Sequence, residues 1–285
     1  MRIRFWGVRG TIPTPGPSTI KVGGNTSCVD VLTSDRQLII LDAGSGIRQL
    51  GKSLRDEYAG RIIGSILISH THWDHIQGFP FFQPVWGRNN RFVLVGQKRV
   101  NQRLEEILAG QFIEPYLPYT YQTLPADLLV KEVGDGEVFI IGDNTSVEVA
   151  ELNHPGGCLG FRIENNNVVF AYCSDVGHYN NGFDEAVLKL AHNADLLLHD
   201  AHFGTMEERN RFTSWGHSCW LEAAQVALEA NVKNLALSHY SPELSDTDLE
   251  DIIQKTRKVF PRAFLAKEGM TVNLPLPNPM PDSLF

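Results

Sequence analysis

Cysteine is scarce in this chain: four residues in 285, Cys28, Cys158, Cys173 and Cys219, widely spaced and without a Cys-x-x-Cys pair. Flanked by apolar neighbours such as Val29, Leu159 and Tyr172, they read as reduced, buried thiols. Positive charge is also short, with 25 Lys+Arg against 33 Asp+Glu and a net charge of −8. That balance argues against strong nucleic-acid binding and leaves a small anionic substrate as the expected partner. No apolar run approaches the ~18 residues of a membrane span. The segment Met1 to Gly7 is broken by charge and glycine before a signal-peptide stretch can develop. A cytoplasmic protein with no membrane partner is therefore expected. Pro/Ser linkers, charge runs and solenoid repeats are missing too, so residues 1–285 read as one domain. A chain of this length buries enough surface to fold without a structural metal. Any metal it binds is expected to do chemistry.

What is present is a β-rich start. Short Val/Ile/Leu runs at Ile3–Trp6, Cys28–Leu32 and Leu38–Leu41 are bounded by Gly, Pro, Asn and Asp, the strand signature. Ile47–Tyr58 has helical spacing, and Arg61–Ser69 suits a buried strand. Alternating segments from Glu132 to Cys173 predict a second sheet. Helices are predicted around Phe183–Ala191, around Trp220–Leu228 with Ser218 as N-cap, and after the capping box at Ser245–Asp248, ending before Pro261. Two β-rich blocks, each followed by helices, predict a four-layer αββα sandwich of two mixed sheets flanked by helices. Residues 89–127 fit neither block. Arg99–Leu108 reads as helical, and the proline- and aromatic-rich stretch Phe112–Tyr121 reads as a lid or as a loop packed by its own aromatics.

The chemistry concentrates after the Ile66–Ile68 strand, in Ser69-His70-Thr71-His72-Trp73-Asp74-His75. At a strand end His70 and His72 point the same way, because side chains alternate with period two. A turn into a helix then brings Asp74 and His75 round beside them. Imidazole and carboxylate suit zinc, manganese or iron. His154, Asp175 and His239 each follow an apolar run and precede a turn, so they share the strand-end position.

In this order the series His70, His72, Asp74, His75, His154, Asp175 and His239 resembles the ligands of the metallo-β-lactamase fold hydrolases. Asp42-Ala43-Gly44-Ser45-Gly46 resembles the first motif of that superfamily, in which the aspartate braces the metal loops. Leu198-His199-Asp200-Ala201-His202 and Trp215-Gly216-His217-Ser218 resemble the branch that contains ribonuclease Z and the bacterial cyclic phosphodiesterases, with Asp200 where ribonuclease Z has glutamate. The resemblance implies two divalent metal ions, zinc first and manganese or iron next. His70, His72 and His154 would hold one, Asp74, His75 and His239 the other, and Asp175 would bridge. It implies a shared, acidified water attacking a phosphodiester. Asp74, Asp200 and His217 would be catalytic, with His217 giving a proton to the leaving group and Asp200 orienting its ring. His178 and Ser218 are the candidates for contacting the substrate phosphate, and members of the family often form homodimers.

A phosphodiesterase for a small phosphodiester, a cyclic nucleotide or another compact ester, is the first expectation. Ribonuclease Z-like tRNA 3′ processing is the alternative, set second because Lys98–Asp127 carries three basic residues against four acidic ones and offers no basic arm. A thioester hydrolase of the glyoxalase II kind would have little need of the Asp200–His217 pair, and a non-catalytic metal-binding protein would be expected to have lost ligands.

Overall fold

The computed structural model describes every residue except 59, 180, 282, 283 and 285. In chain order the first half forms β1 (Arg2–Gly7), β2 (Cys28–Leu32), β3 (Leu38–Leu41), α1 (Ile47–Glu57), β4 (Ile63–Leu67), the short α2 (Trp73–Ile76), β5 (Arg91–Gln97), α3 (Leu104–Ala109) and β6 (Asp127–Val133). The second half forms β7 (Val138–Ile141), β8 (Thr145–Leu152), β9 (Cys158–Asn165), β10 (Val168–Cys173), α4 (Glu185–Ala191), β11 (Leu196–Asp200), α5 (Met206–Arg211), α6 (Trp220–Glu229), β12 (Leu235–Ser238), α7 (Asp246–Val259), β13 (Ala263–Leu265) and β14 (Thr271–Asn273).

Two seven-stranded sheets result, ordered β14-β1-β2-β3-β4-β5-β6 and β13-β12-β11-β10-β9-β8-β7. Each is antiparallel in one part and parallel in the other: β3 to β6 run parallel, as do β10 to β13. The αββα sandwich of two mixed sheets is thus the observed architecture. Strand β3 shows why the layers form. Its four residues are all buried; Ile39 and Leu41 join the core between the sheets, and Leu38 and Ile40 the core beneath α1. Alternation with apolar residues on both faces demands cover on both sides, and each such side chain contributes about 1.5–3 kcal/mol on burial. Helix α1 supplies the cover through Ile47, Leu50 and Leu54.

The capping box at Ser245 and Asp248 starts α7, as the sequence predicts, and the helix ends before Pro261. One boundary differs. The second sheet starts at Val138, because β6 pairs in parallel with β5 and completes the first sheet. Within residues 89–127, β5 is an interior strand of the first sheet, and Leu104, Leu108, Phe112 and Tyr121 fill the core beneath it. Among the described residues no helix is long and apolar enough to cross a membrane.

Candidate metal centre and active site

Parallel strands deliver their carboxyl ends to one edge of a sheet, where loops can carry function. Here β4 leads to His70, β8 to His154, β10 to Asp175, β11 to Asp200 and β12 to His239. His72 has extended backbone and precedes α2, whose first turn presents Asp74 and His75. The seven residues converge. Asp175 lies at the middle, Oδ1 being 3.2 Å from His75 Nε2, and Oδ2 3.3 Å from His239 Nε2, 3.8 Å from His70 Nε2 and 4.0 Å from His154 Nε2. His154 Nε2 is 3.2 Å from His72 Nδ1, and His239 Nε2 is 3.1 Å from Asp74 Oδ2. Groups able to hold a metal are His70 with His72 and His154, Asp74 with His75 and His239, His70 with His75 and Asp175, and two that include His217, with His154 and Asp175 or with His202 and His239.

The donor atoms fit cations. The Nδ1–H groups of three of these rings are spent on other partners, which leaves the Nε2 lone pairs aimed inward. His75 donates to Asp42 Oδ2 at 2.8 Å, His154 to the Gly216 carbonyl at 2.9 Å, and His70 to Ser69 Oγ at 3.1 Å. His70 Nε2 and Asp175 Oδ1 are buried without a hydrogen-bond partner. Burial, then His75, hold the His70 imidazolium well below its ordinary range. Burial pushes Asp175 and Asp74 up, yet the facing histidines outweigh it and keep both far below the usual carboxylate range. Burial lowers His75 and His239 too, but Asp175 and Asp74 outweigh it and raise both imidazoliums, so metal binding at these two rings releases protons.

Asp42 braces this assembly. Its Oδ1 accepts Ser69 N–H at 2.7 Å, and its Oδ2 accepts Ser69 Oγ–H, the Tyr172 hydroxyl and the His75 ring N–H. Tyr172 was not legible as a site residue, since it sits inside an ordinary apolar strand. Tyr172→Phe should cost about 1.5–3 kcal/mol of stability and about tenfold in metal affinity. Chemical denaturation and competitive metal titration would check both. A second unannounced contributor is Gly10: a Cβ there would lie 2.5 Å from His239 Cε1, so only glycine lets the chain pass this close to the ring. Gly216 has φ +73° and offers the carbonyl that orients His154, and a Cβ would meet Pro155 Cδ at 2.2 Å.

Asp200 and His217 form a pair beside the cluster, with Oδ2 accepting from Nδ1 at 2.7 Å. Asp200 also accepts Val176 N–H and His202 N–H. His202 stacks on His217, with ring centroids 4.4 Å apart and planes at 18°. The other two candidates stand elsewhere. His178 is buried, accepts Asp184 N–H at 3.1 Å and lies 3.3 Å from His199 Nε2. Ser218 is buried and donates to the Val176 carbonyl at 2.6 Å. It does not cap the helix, because Cys219 holds that position and the Cys219 N–H is taken by Glu222. Both side chains are thus engaged with Asp184, His199 and Val176, and neither lines the cleft in front of the metal cluster. The cleft of about 510 Å³ in front of it is lined by Trp73, Asp74, His72, His154, Trp215 and His217 among others, and residues 89–127 supply none of its lining.

A model of the family described as "Beta-lactamase superfamily domain" matches residues 37–240, well over half of the chain and nearly all of the site. The chain belongs to the beta-lactamase superfamily. Within the superfamily it is similar to Ribonuclease Z of Prochlorococcus marinus subsp. pastoris, at 22% identity over 96% of this chain and 100% of the relative. It is also similar to Ribonuclease Z of Methanosarcina acetivorans, at 25% identity over 96% and 98%. Three solved structures share the fold. They are a metallo-beta-lactamase fold protein from Bacillus subtilis (TM-score 0.72, 20% identity, 95% and 98% covered), the short form of human tRNase Z (0.70, 20%, 97% and 100%) and a diphosphatase of the PhnP family (0.69, 18%, 96% and 97%).

The superfamily and the His/Asp clusters together make this chain a metal-dependent hydrolase of the metallo-beta-lactamase fold. The expectation against nucleic acid is overturned, because relatives matched over nearly their full length are named as ribonucleases. A net charge is an average, and it says nothing of how charge is placed.

Proposed function

We propose that this superfamily member is a dinuclear phosphodiesterase acting on RNA in the manner of ribonuclease Z. The observation that carries it is the convergence of four histidines on the two oxygens of buried Asp175, beside the Asp200–His217 pair, in a chain whose full-length relatives carry that name. His70, His72 and His154 would hold one ion and Asp74, His75 and His239 the other, with Asp175 between them. The donor chemistry favours zinc. Two divalent ions bound there would supply an activated water and offset charge on the phosphate oxygens.

The rest is done by the chain. Asp175 fixes the spacing of the two ligand groups, and Asp42, Ser69 and Gly216 fix the ring orientations. Asp200 holds the Nδ1 edge of His217, so a proton at Nε2 can pass to the oxygen that leaves the phosphorus. Burial, then His239, lowers the His217 imidazolium, and burial raises Asp200. Phosphate charge beside the ring would raise the imidazolium again and favour the doubly protonated form, which can give up the proton on Nε2. Stacked His202 keeps the ring from turning.

A compact phosphodiester is the second reading, favoured by the small cleft and by the absence of a projecting arm among residues 98–127. The test is turnover of a pre-tRNA carrying a 3′ trailer and of cyclic nucleotides by the metal-loaded protein. Cleavage of the trailer that stops on chelation and returns with zinc is expected. Turnover of cyclic nucleotides alone would overturn the RNA reading, and hydrolysis of thioesters alone would overturn both.

A further inference from the structure

Helix α1 carries Arg48, Lys52 and Arg55 at i, i+4 and i+7, which places all three on one stripe, and all three are exposed. The stripe faces two adjoining hollows of about 590 and 570 Å³ that share Arg55, Gln83 and Trp86 in their walls. Arg88 adds a fourth cation, and neither wall contains a carboxylate. In a chain with 33 acidic residues against 25 basic ones, that is a concentrated island of positive charge. The nearby acids are engaged or weakly placed: Glu57 pairs with Arg2 and Arg4, and Asp56 lies 4.0 Å from Arg55. Among the described residues Arg48, Lys52 and Arg88 have no ion-pair partner.

Aromatic rings are interleaved with these cations. Phe81 and Tyr119 line the second hollow at 55% and 52% exposed, and Trp86 lies in both, packed edge-on against Tyr119 at 5.0 Å. Exposed rings clustered in this way mark a surface built for interaction. The groove is also tied to the chemistry. Gly78 N–H donates to the Ala43 carbonyl and Ala43 N–H to the His75 carbonyl, so the loop before α1 and the turn carrying Phe81 are clamped to the metal-site motif.

The geometry points to this groove, formed by α1 and the Phe79–Trp86 turns, as a track for single-stranded RNA, in which Arg48, Lys52, Arg55 and Arg88 meet phosphates and Trp86, Phe81 and Tyr119 stack on bases. The inference rests on the RNA reading above and deepens it. Cations that follow a backbone with rings that stack on any base are the combination that sequence-tolerant single-strand binding uses. An acidic peptide would use the charge and leave the rings idle. A second copy of this chain would bring the same positive stripe against itself across a twofold axis, which like-charge repulsion opposes.

The test uses the metal-loaded full chain and a short fluorescein-labelled single-stranded RNA of mixed sequence, followed by anisotropy across a salt series. The combined variant Arg48→Gln, Lys52→Gln, Arg55→Gln should bind RNA at least about tenfold more weakly, with the slope of log affinity against log salt reduced by about 2. Trp86→Ala should weaken binding by about tenfold with the slope little changed. Losses on RNA cleavage should exceed losses on bis-p-nitrophenyl phosphate by a similar factor. RNA affinity and salt slope equal to wild type in both variants would overturn the track. So would a change confined to the sedimentation behaviour, which would make the groove a contact between copies. Wild-type protein that cleaves no RNA, yet binds it through these residues, would refute the ribonuclease reading and support the track.

Discussion

Replacing Asp175 by alanine should remove bound metal and lower turnover of every phosphodiester by several orders of magnitude, the largest loss from any single position. The reason is its place. One carboxylate stands within 4.0 Å of a ring nitrogen on each of five histidines, the four candidate ligands His70, His75, His154 and His239 and also His217, so both ligand groups lose their common anion at once. Four imidazoles left facing one another without that charge hold a cation poorly. Asp175→Asn keeps the volume and one oxygen, so it should retain the fold and part of the metal while losing most activity. Elemental analysis beside turnover would check this. Full metal content with full activity in Asp175→Ala would remove it from the site.

His217→Ala should separate metal binding from proton delivery. Metal content and folding should match wild type, while kcat falls by about 10²–10⁴-fold, the usual range for a placed acid or base. The loss should follow the leaving group: large for a ribose or alkyl oxygen, which needs a proton to depart, and small for p-nitrophenolate, which does not. Asp200→Asn should give a milder version by weakening the hold on Nδ1. Equal losses on both ester classes would assign His217 to phosphate binding, and loss of metal would make it a ligand.

Much of this site was legible because metal ligation constrains residue type and strand ends constrain position. The run His70 to His75 sits where β4 stops, and His154, Asp175 and His239 sit where three later strands stop, so the pattern survives in one dimension. Gly10 had no such mark. It meets His239 across 229 positions of chain, and only the folded state reveals that a methyl group there would strike the ring. Ser218 was misleading in the opposite sense: a serine ahead of a helical run resembles a cap, but the backbone turns one residue later and its hydroxyl goes to Val176. The charge reasoning failed for a third reason. Summing over the chain, or over residues 98–127, hides three cations that helical periodicity aligns on α1, although their spacing was readable all along.

The ligand candidates are divided between the two halves of the sandwich. His70, His72, Asp74 and His75 follow a strand of the first sheet, while His154, Asp175 and His239 follow strands of the second. Ions held by both sets would act as a rivet through the layers, so resistance to unfolding becomes a function of free metal. The gain follows RT ln(1 + [M]/Kd), about 4 kcal/mol when free metal exceeds its dissociation constant a thousandfold. Starvation for metal would then do more than silence the protein. It would loosen one half from the other and expose the chain to proteolysis, coupling abundance to metal supply.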